Sequence, residues 1–225
     1  MSLDAQRADA HLASESSPVS AGLVLVASAV ASATTVAVAV VATVRHADLL
    51  AAADGRHVGI GLGPSMSVVS TLSVVCGVAL VIAWFATGGW LINLRAVADR
   101  VAPHYPQRVS SWWTLASWVV PIVNLWYPYQ LVADASRALG SKVTNFWPWW
   151  IAWLVATSGT GVVAGYPEDA LLTSTGSVDR WVHGLQVNAV VVTIAFVLWW
   201  RVVRAATNAA RLAVVDPAQT PRQPD

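Results

Sequence analysis

Four stretches of the chain hold no Asp, Glu, Lys, Arg or His: Ala21 to Val44, Met66 to Asn93, Trp147 to Tyr166 and Gly184 to Trp200. A helix rises about 1.5 Å per residue and the hydrocarbon core of a bilayer is about 30 Å thick, so each stretch is long enough to cross, or nearly so. The pattern predicts four transmembrane helices over about residues 21–44, 66–93, 147–166 and 182–200, the last lengthened by Trp181 to His183. The second is longer than a crossing requires and should tilt or project. Aromatic residues collect at the ends of these runs, at Trp84, Trp90, Trp147 to Trp150, Tyr166, Trp181, Trp199 and Trp200, where amphipathic rings suit the headgroup level.

A fifth stretch, WWTLASWVVPIVNLWYPYQ at residues 112–130, is apolar but broken by Pro121 and Pro128. Pro121 lacks an N–H and clashes with the carbonyl four residues back, at Ser117, so a helix entering at Trp112 should kink or stop there. Pro128 repeats the break and biases Tyr127 towards an extended conformation. Asn124 lies between the prolines and offers one acceptor and two donors to the freed backbone groups. The following YQLVADASRALG puts Leu131, Val132, Ala135 and Leu139 on one helical face, with Gln130, Asp134 and Arg137 elsewhere. That is an interfacial pattern, ended by Gly140.

Two topologies follow, and the basic residues separate them. If the fifth stretch crosses, the two sides carry 5 and 8 of the 13 basic residues; if it returns to its own side, the split is 10 to 3, with only Arg45, Arg56 and Arg180 outside. Basic residues of short loops stay on the cytoplasmic side, which favours the second count. The fold expected is an all-α polytopic membrane bundle of four transmembrane helices plus a proline-broken re-entrant or interfacial hairpin over residues 112–139. The alternative is five transmembrane helices. Residues 1–20 then form a disordered cytoplasmic tail, residues 21–204 the membrane domain, and residues 205–225 a cytoplasmic helix end, stopped by Asp216-Pro217, with a second disordered tail.

Composition agrees: of 225 residues, 56% are hydrophobic and 11% charged, with 13 tryptophans, which excludes an ordinary soluble domain. A net charge of +1 gives no basic face for nucleic acid. The leader is polar and mildly acidic, and the first apolar run exceeds that of a secretory signal, so Ala21 to Val44 reads as a retained span. Cys76 is the single cysteine, which rules out an intrachain disulfide and leaves no thiolate cluster for a metal. The stretch Gly59 to Gly63 has neither the preceding strand nor the distant acid of a dinucleotide site, and reads as a turn between spans. His46 and His57 share a loop with Asp48 and Asp54 but lack ligand spacing. No cofactor, metal or catalytic constellation is expected. Small residues at Ala27, Ala31 and Thr35, and at Thr157, Gly161 and Gly165, recur every four positions as packing stripes.

The segments GWLINLRAVADR, SSWWTLASWVVPIVNLWYPYQLVADASRA and WPWW together resemble the bacterial integral-membrane family of domain of unknown function 4328 (DUF4328). Trp118, Pro121, Asn124, Leu125, Trp126 and Pro128 correspond to its W-x-x-P-x-x-N-L-W-x-P signature, and Trp90 and Arg95 to its helix end. Asn93 precedes Arg95 here, where the family pattern has an Asn after its arginines. The resemblance runs over roughly residues 66–204 and implies a multi-helix membrane fold without an assigned reaction.

The functional expectation is a non-enzymatic interaction or organising module of the cytoplasmic membrane, with both termini inside. Its candidate residues are the break at Trp118, Pro121, Asn124, Trp126 and Pro128, and a basic inner face at Arg95, Arg100, Arg108, Arg201, Arg204 and Arg211. Arg201, Arg204 and Arg211 fall within an arc of about 80° on a helix continuing the last span. Partners expected are anionic lipid headgroups, a membrane protein or a second copy. The alternative, a small-molecule channel or carrier, places a polar path near Asn124 and Asn188. That none of the four runs contains Asp, Glu, Lys, Arg or His weighs against ion-coupled transport.

Overall fold

A computed structural model describes residues 21–55, 62–110, 112–117, 122–143, 145–164 and 174–215. Both expected tails, the Gly59 to Gly61 glycines, His57, Trp118, Pro121 and the Asp216-Pro217 stop lie outside the described residues. The described chain is helical, without a strand: α1 (Ala21–Val44), α2 (His46–Ala53), α3 (Leu62–Val101), α4 (Trp113–Ala116), a single 3-10 turn (Val123–Leu125), α5 (Tyr127–Ala138), α6 (Trp147–Ala164) and α7 (Thr175–Val215).

Among the described residues, three helices are long and apolar enough to cross a membrane, within Ala21–Val44, Ser67–Val101 and Thr175–Val214. This corrects the expected four, and equally the alternative of five. The run beginning at Trp147 falls short because its 18-residue helix opens with WPWW and continues into TSGTG. Indole, hydroxyl and glycine dilute the aliphatic content that favours hydrocarbon. In α3 only 17% of the apolar window is buried within the protein. Val74, Val78, Val81, Ile82 and Phe85 stand exposed, an outward apolar face that suits lipid rather than water.

The long helices alternate in direction. Thr35 of α1 touches the Cys76 thiol of α3 at 3.6 Å, while Val24 joins Trp90 and Leu94 in one buried cluster, so α1 and α3 are antiparallel. Gln186 at the start of α7 donates to the Thr43 hydroxyl at the end of α1 (3.0 Å). Trp199 joins the cluster around Val24, so α7 also opposes α1. Helix α6 opposes α7, with Trp149 stacked on Trp199 at 4.7 Å. Further along that seam, a Cβ on Gly159 would come within 2.7 Å of the Asn188 Oδ1. Ala27 and Ala31 are 5% and 6% exposed, so the first small-residue stripe is an internal seam. In α6, Gly159 makes a close approach to α7; of the predicted stripe at Thr157, Gly161 and Gly165, Gly165 lies outside the described residues.

Two apolar clusters mark the two ends of the bundle. One is rich in tryptophan and gathers the N-terminal end of α1, the C-terminal ends of α3 and α7, the start of α6 and all of α5. The other, around Val38, Leu49, Val178 and Trp181, holds the far end. There the sequence read a loop, but HADLLAAA forms α2: Leu49 is 3% exposed against α7, and Gly55 follows with φ 69°. His46 Nε2 lies 2.7 Å from the Asp179 carboxylate, tying α2 to α7.

Candidate functional site

The broken stretch builds the Trp-rich end. Helix α4 lasts one turn, and Ser117 closes it by donating its N–H to the Trp113 carbonyl (2.9 Å). After the undescribed residues around Pro121, a single 3-10 turn forms through N–H bonds from Leu125 to Ile122 O and from Trp126 to Val123 O, both 3.2 Å. The turn is pinned by Trp150 of α6, whose indole N–H donates to the Leu125 carbonyl at 2.8 Å. A backbone acceptor freed by the irregular geometry is thereby satisfied by a neighbouring helix.

Pro128 does not act as a second break. It lies in the first turn of α5, where its missing N–H is one of the donors a helix start leaves unbonded, and Tyr127 is already helical. Helix α5 also departs from the surface helix expected. Nine of its twelve residues are buried, Asp134 and Ser136 among them. Its end follows the expectation: Gly140 takes φ 66°, its N–H bonds Arg137 O, and that of Ser141 bonds Ser136 O, both at 2.9 Å. Apolar residues of the break are also exposed at this end: Trp112 (61%), Ile122 (69%) and Leu125 (52%).

Helix α5 is buried because the linker before α4 folds over it. Arg108 supplies Nε to both oxygens of Asp134 at 3.1 Å, Nη2 to Oδ1 at 2.5 Å, and its own backbone N–H to Oδ2 at 3.3 Å. The Asp134 side chain is 4% exposed and that of Arg108 49%. Its hydrogen bonds to the Asp134 carboxylate hold the Arg108 guanidinium above its ordinary pKa.

The six arginines of the predicted basic face are therefore not equivalent. Arg95 is buried at 8% exposure, and its Nε has no partner. Arg108 is bound to Asp134. Arg100, Arg201, Arg204 and Arg211 are exposed, and Arg204 lies over the Trp200 ring, 4.8 Å from its centroid. The three on α7 stand opposite buried Val202, Val203 and Ala206.

Above the break, α1, α3, α6 and α7 enclose a cavity of about 460 Å³ with Asn124 in its wall. Trp84, Trp149, Trp153 and Trp199 line it, together with hydroxyls and small apolar residues. Three of its lining residues carry buried polar atoms without a hydrogen-bond partner: Trp84 Nε1, Trp149 Nε1 and Asn124 Oδ1. Asn188, which the sequence placed on one polar path with Asn124, lines a separate groove between α6 and α7 with Leu154, Gly159 and Val191. The sequence did not single out this cavity. Its tryptophans carry the same signal as interface anchors, and only packing distinguishes the two roles.

Residues 62–171 match the family described as Domain of unknown function (DUF4328). The match ends before the stretch to 204 that the residues suggested, and includes the whole break. No curated protein and no solved structure matches the chain.

Proposed function

We propose that this chain, whose residues 62–171 match the DUF4328 family, is a non-enzymatic membrane module that docks anionic lipid headgroups at its Trp-rich end. The observation that carries the reading is the segregation at that end. The break folds back onto the helices it left, and Arg100, Arg201, Arg204 and Arg211 remain exposed beside it. Helix α6, about 27 Å long by its 18 residues, is taken as a shorter inserted helix beside α7, its WPWW turn anchored at the interface. Both chain termini and both ends of the break then lie on the cytoplasmic side, the side of excess arginine.

Each arginine near an anionic surface contributes about 1 kcal/mol. Reversing Arg204 and Arg211 to Glu should therefore lower the retention of phosphatidylglycerol by purified protein about thirtyfold or more, as read by native mass spectrometry. Unchanged retention contradicts the docking role. Topology is tested separately by thiol labelling in a Cys76→Ser background. Single cysteines at Ser110 and Lys142, both exposed, should react from the same face, whereas reaction from opposite faces refutes the folded-back break. Ser141 is a poorer site, being 8% exposed.

The channel or carrier reading draws less support. It needs Asn124 and Asn188 on one path, and they line different cavities.

A further inference from the structure

Arg95 takes no part in docking by exposed arginines, because it is 8% exposed. It shares a face of α3 with Leu91, Leu94 and Ala98, at helical spacings of three and four, and these are 1%, 4% and 0% exposed. That face packs into the Trp-rich cluster, where α3 meets α4 and α5. A guanidinium stays charged in proteins, and a charge withdrawn from water needs a counter-charge and hydrogen bonds in its place. Among the described residues Arg95 has neither. Their ion pairs are Arg45 with Asp48, His46 with Asp179 and Arg108 with Asp134. Asp99, one turn beyond Arg95, is exposed and belongs to none of them. Nε of Arg95 is closed off without a partner. The two terminal nitrogens also lack partners but are not among the closed polar atoms, so the tip of the side chain keeps an opening to the surface.

We propose that Arg95 binds the phosphodiester of one anionic lipid, whose head sits over this opening. The inference rests on the placement of the Trp-rich end at the headgroups, but not on the exposed arginines. The terminal nitrogens carry four N–H groups in a planar fork, and the two non-bridging oxygens of a phosphodiester match a pair of them. Such an anion supplies both the acceptors and the counter-charge that the protein withholds. A hydroxyl head supplies no charge, and an ammonium head repels the guanidinium. One guanidinium takes one phosphate, so the stoichiometry is one lipid per chain. Enclosure also separates this lipid from those at the surface arginines: salt screens exposed charges, and screens a largely buried one much less.

The test is native mass spectrometry of the full-length protein titrated with phosphatidylglycerol at low and high salt. One lipid per chain should stay bound at high salt. Diacylglycerol with the same chains, which lacks the phosphate, should be retained at least about tenfold less well. Free glycerol 3-phosphate at equal concentration should not displace the bound lipid. Arg95→Met, unbranched and uncharged, should lower retention of the salt-resistant lipid at least about tenfold, and Arg95→Lys, a point charge without the fork, about threefold. The reversals at Arg204 and Arg211 should deplete only the lipids beyond this first one, so failure of the docking role and failure of this site are read from different variants. Equal retention of the salt-resistant lipid by Arg95→Met, equal retention of diacylglycerol by the wild type, or displacement by glycerol 3-phosphate overturns the proposal. Should Arg95→Met fail to fold, Arg95→Lys and the wild-type lipid comparison decide.

Discussion

Removing Arg108 should destabilise the protein more than removing its partner Asp134, and the difference follows from where each side chain sits. Arg108→Ala leaves a carboxylate that is 4% exposed, with the backbone N–H of residue 108 at 3.3 Å as its remaining bond. Breaking a fully buried pair costs about 3–5 kcal/mol. Here the departing guanidinium is 49% exposed, so water enters the space it leaves and the cost falls to about 2 kcal/mol. Asp134→Ala instead leaves a cation that is already half in water, at a cost of about 1 kcal/mol or less. The double variant should resemble Asp134→Ala, with a coupling energy of about 1–2 kcal/mol. Assays near neutrality see the whole effect. Pairing raises the Arg108 pKa, so the stabilisation is complete below the ordinary guanidinium value and is lost only above it, beyond roughly pH 12. The measurement is the SDS fraction at half-unfolding in mixed micelles, for wild type, both single variants and the double. Equal costs, or a larger cost for Asp134→Ala, would refute the claim that the buried carboxylate is the dependent partner.

Trp90 is 2% exposed and donates its indole N–H to the Thr207 hydroxyl at 3.0 Å, joining α3 to α7. Trp90→Phe should cost about 2 kcal/mol in the same unfolding assay, and adding Thr207→Val should recover part of it by removing the stranded hydroxyl. If the second substitution adds a further full loss, the bond is not what joins the helices. Gly159→Ala should cost about 1 kcal/mol, because its Cβ meets the rotatable amide of Asn188 at 2.7 Å. Asn188→Ala should then relieve that increment, and an additive double variant would show that the two positions do not press on each other.

The two ends of the bundle were legible in the sequence to different degrees. Uncharged runs, aromatic ends and the proline break depend on local chemistry, and they place α1, α3, α7 and the interruption near Asn124 without any neighbour being known. Gly140 likewise marks the end of α5 by its backbone freedom alone. The pattern could not say what covers α5. Gln130, Asp134 and Arg137 read as a wet face, and Asp134 is buried only because Arg108, 26 residues earlier, supplies its counter-charge. Nor could it divide six arginines into one buried, one paired and four exposed, since sequence gives charge but not accessibility. Tryptophans in WPWW and at Trp199 look alike as interface anchors. Stacking of Trp149 on Trp199 is a property of two helices brought side by side, as is the cavity they border. The sequence determined which segments favour the bilayer, because transfer from water depends on each residue's own surface. Tertiary structure alone decided which polar atoms find partners, because a hydrogen bond requires two groups to meet in space.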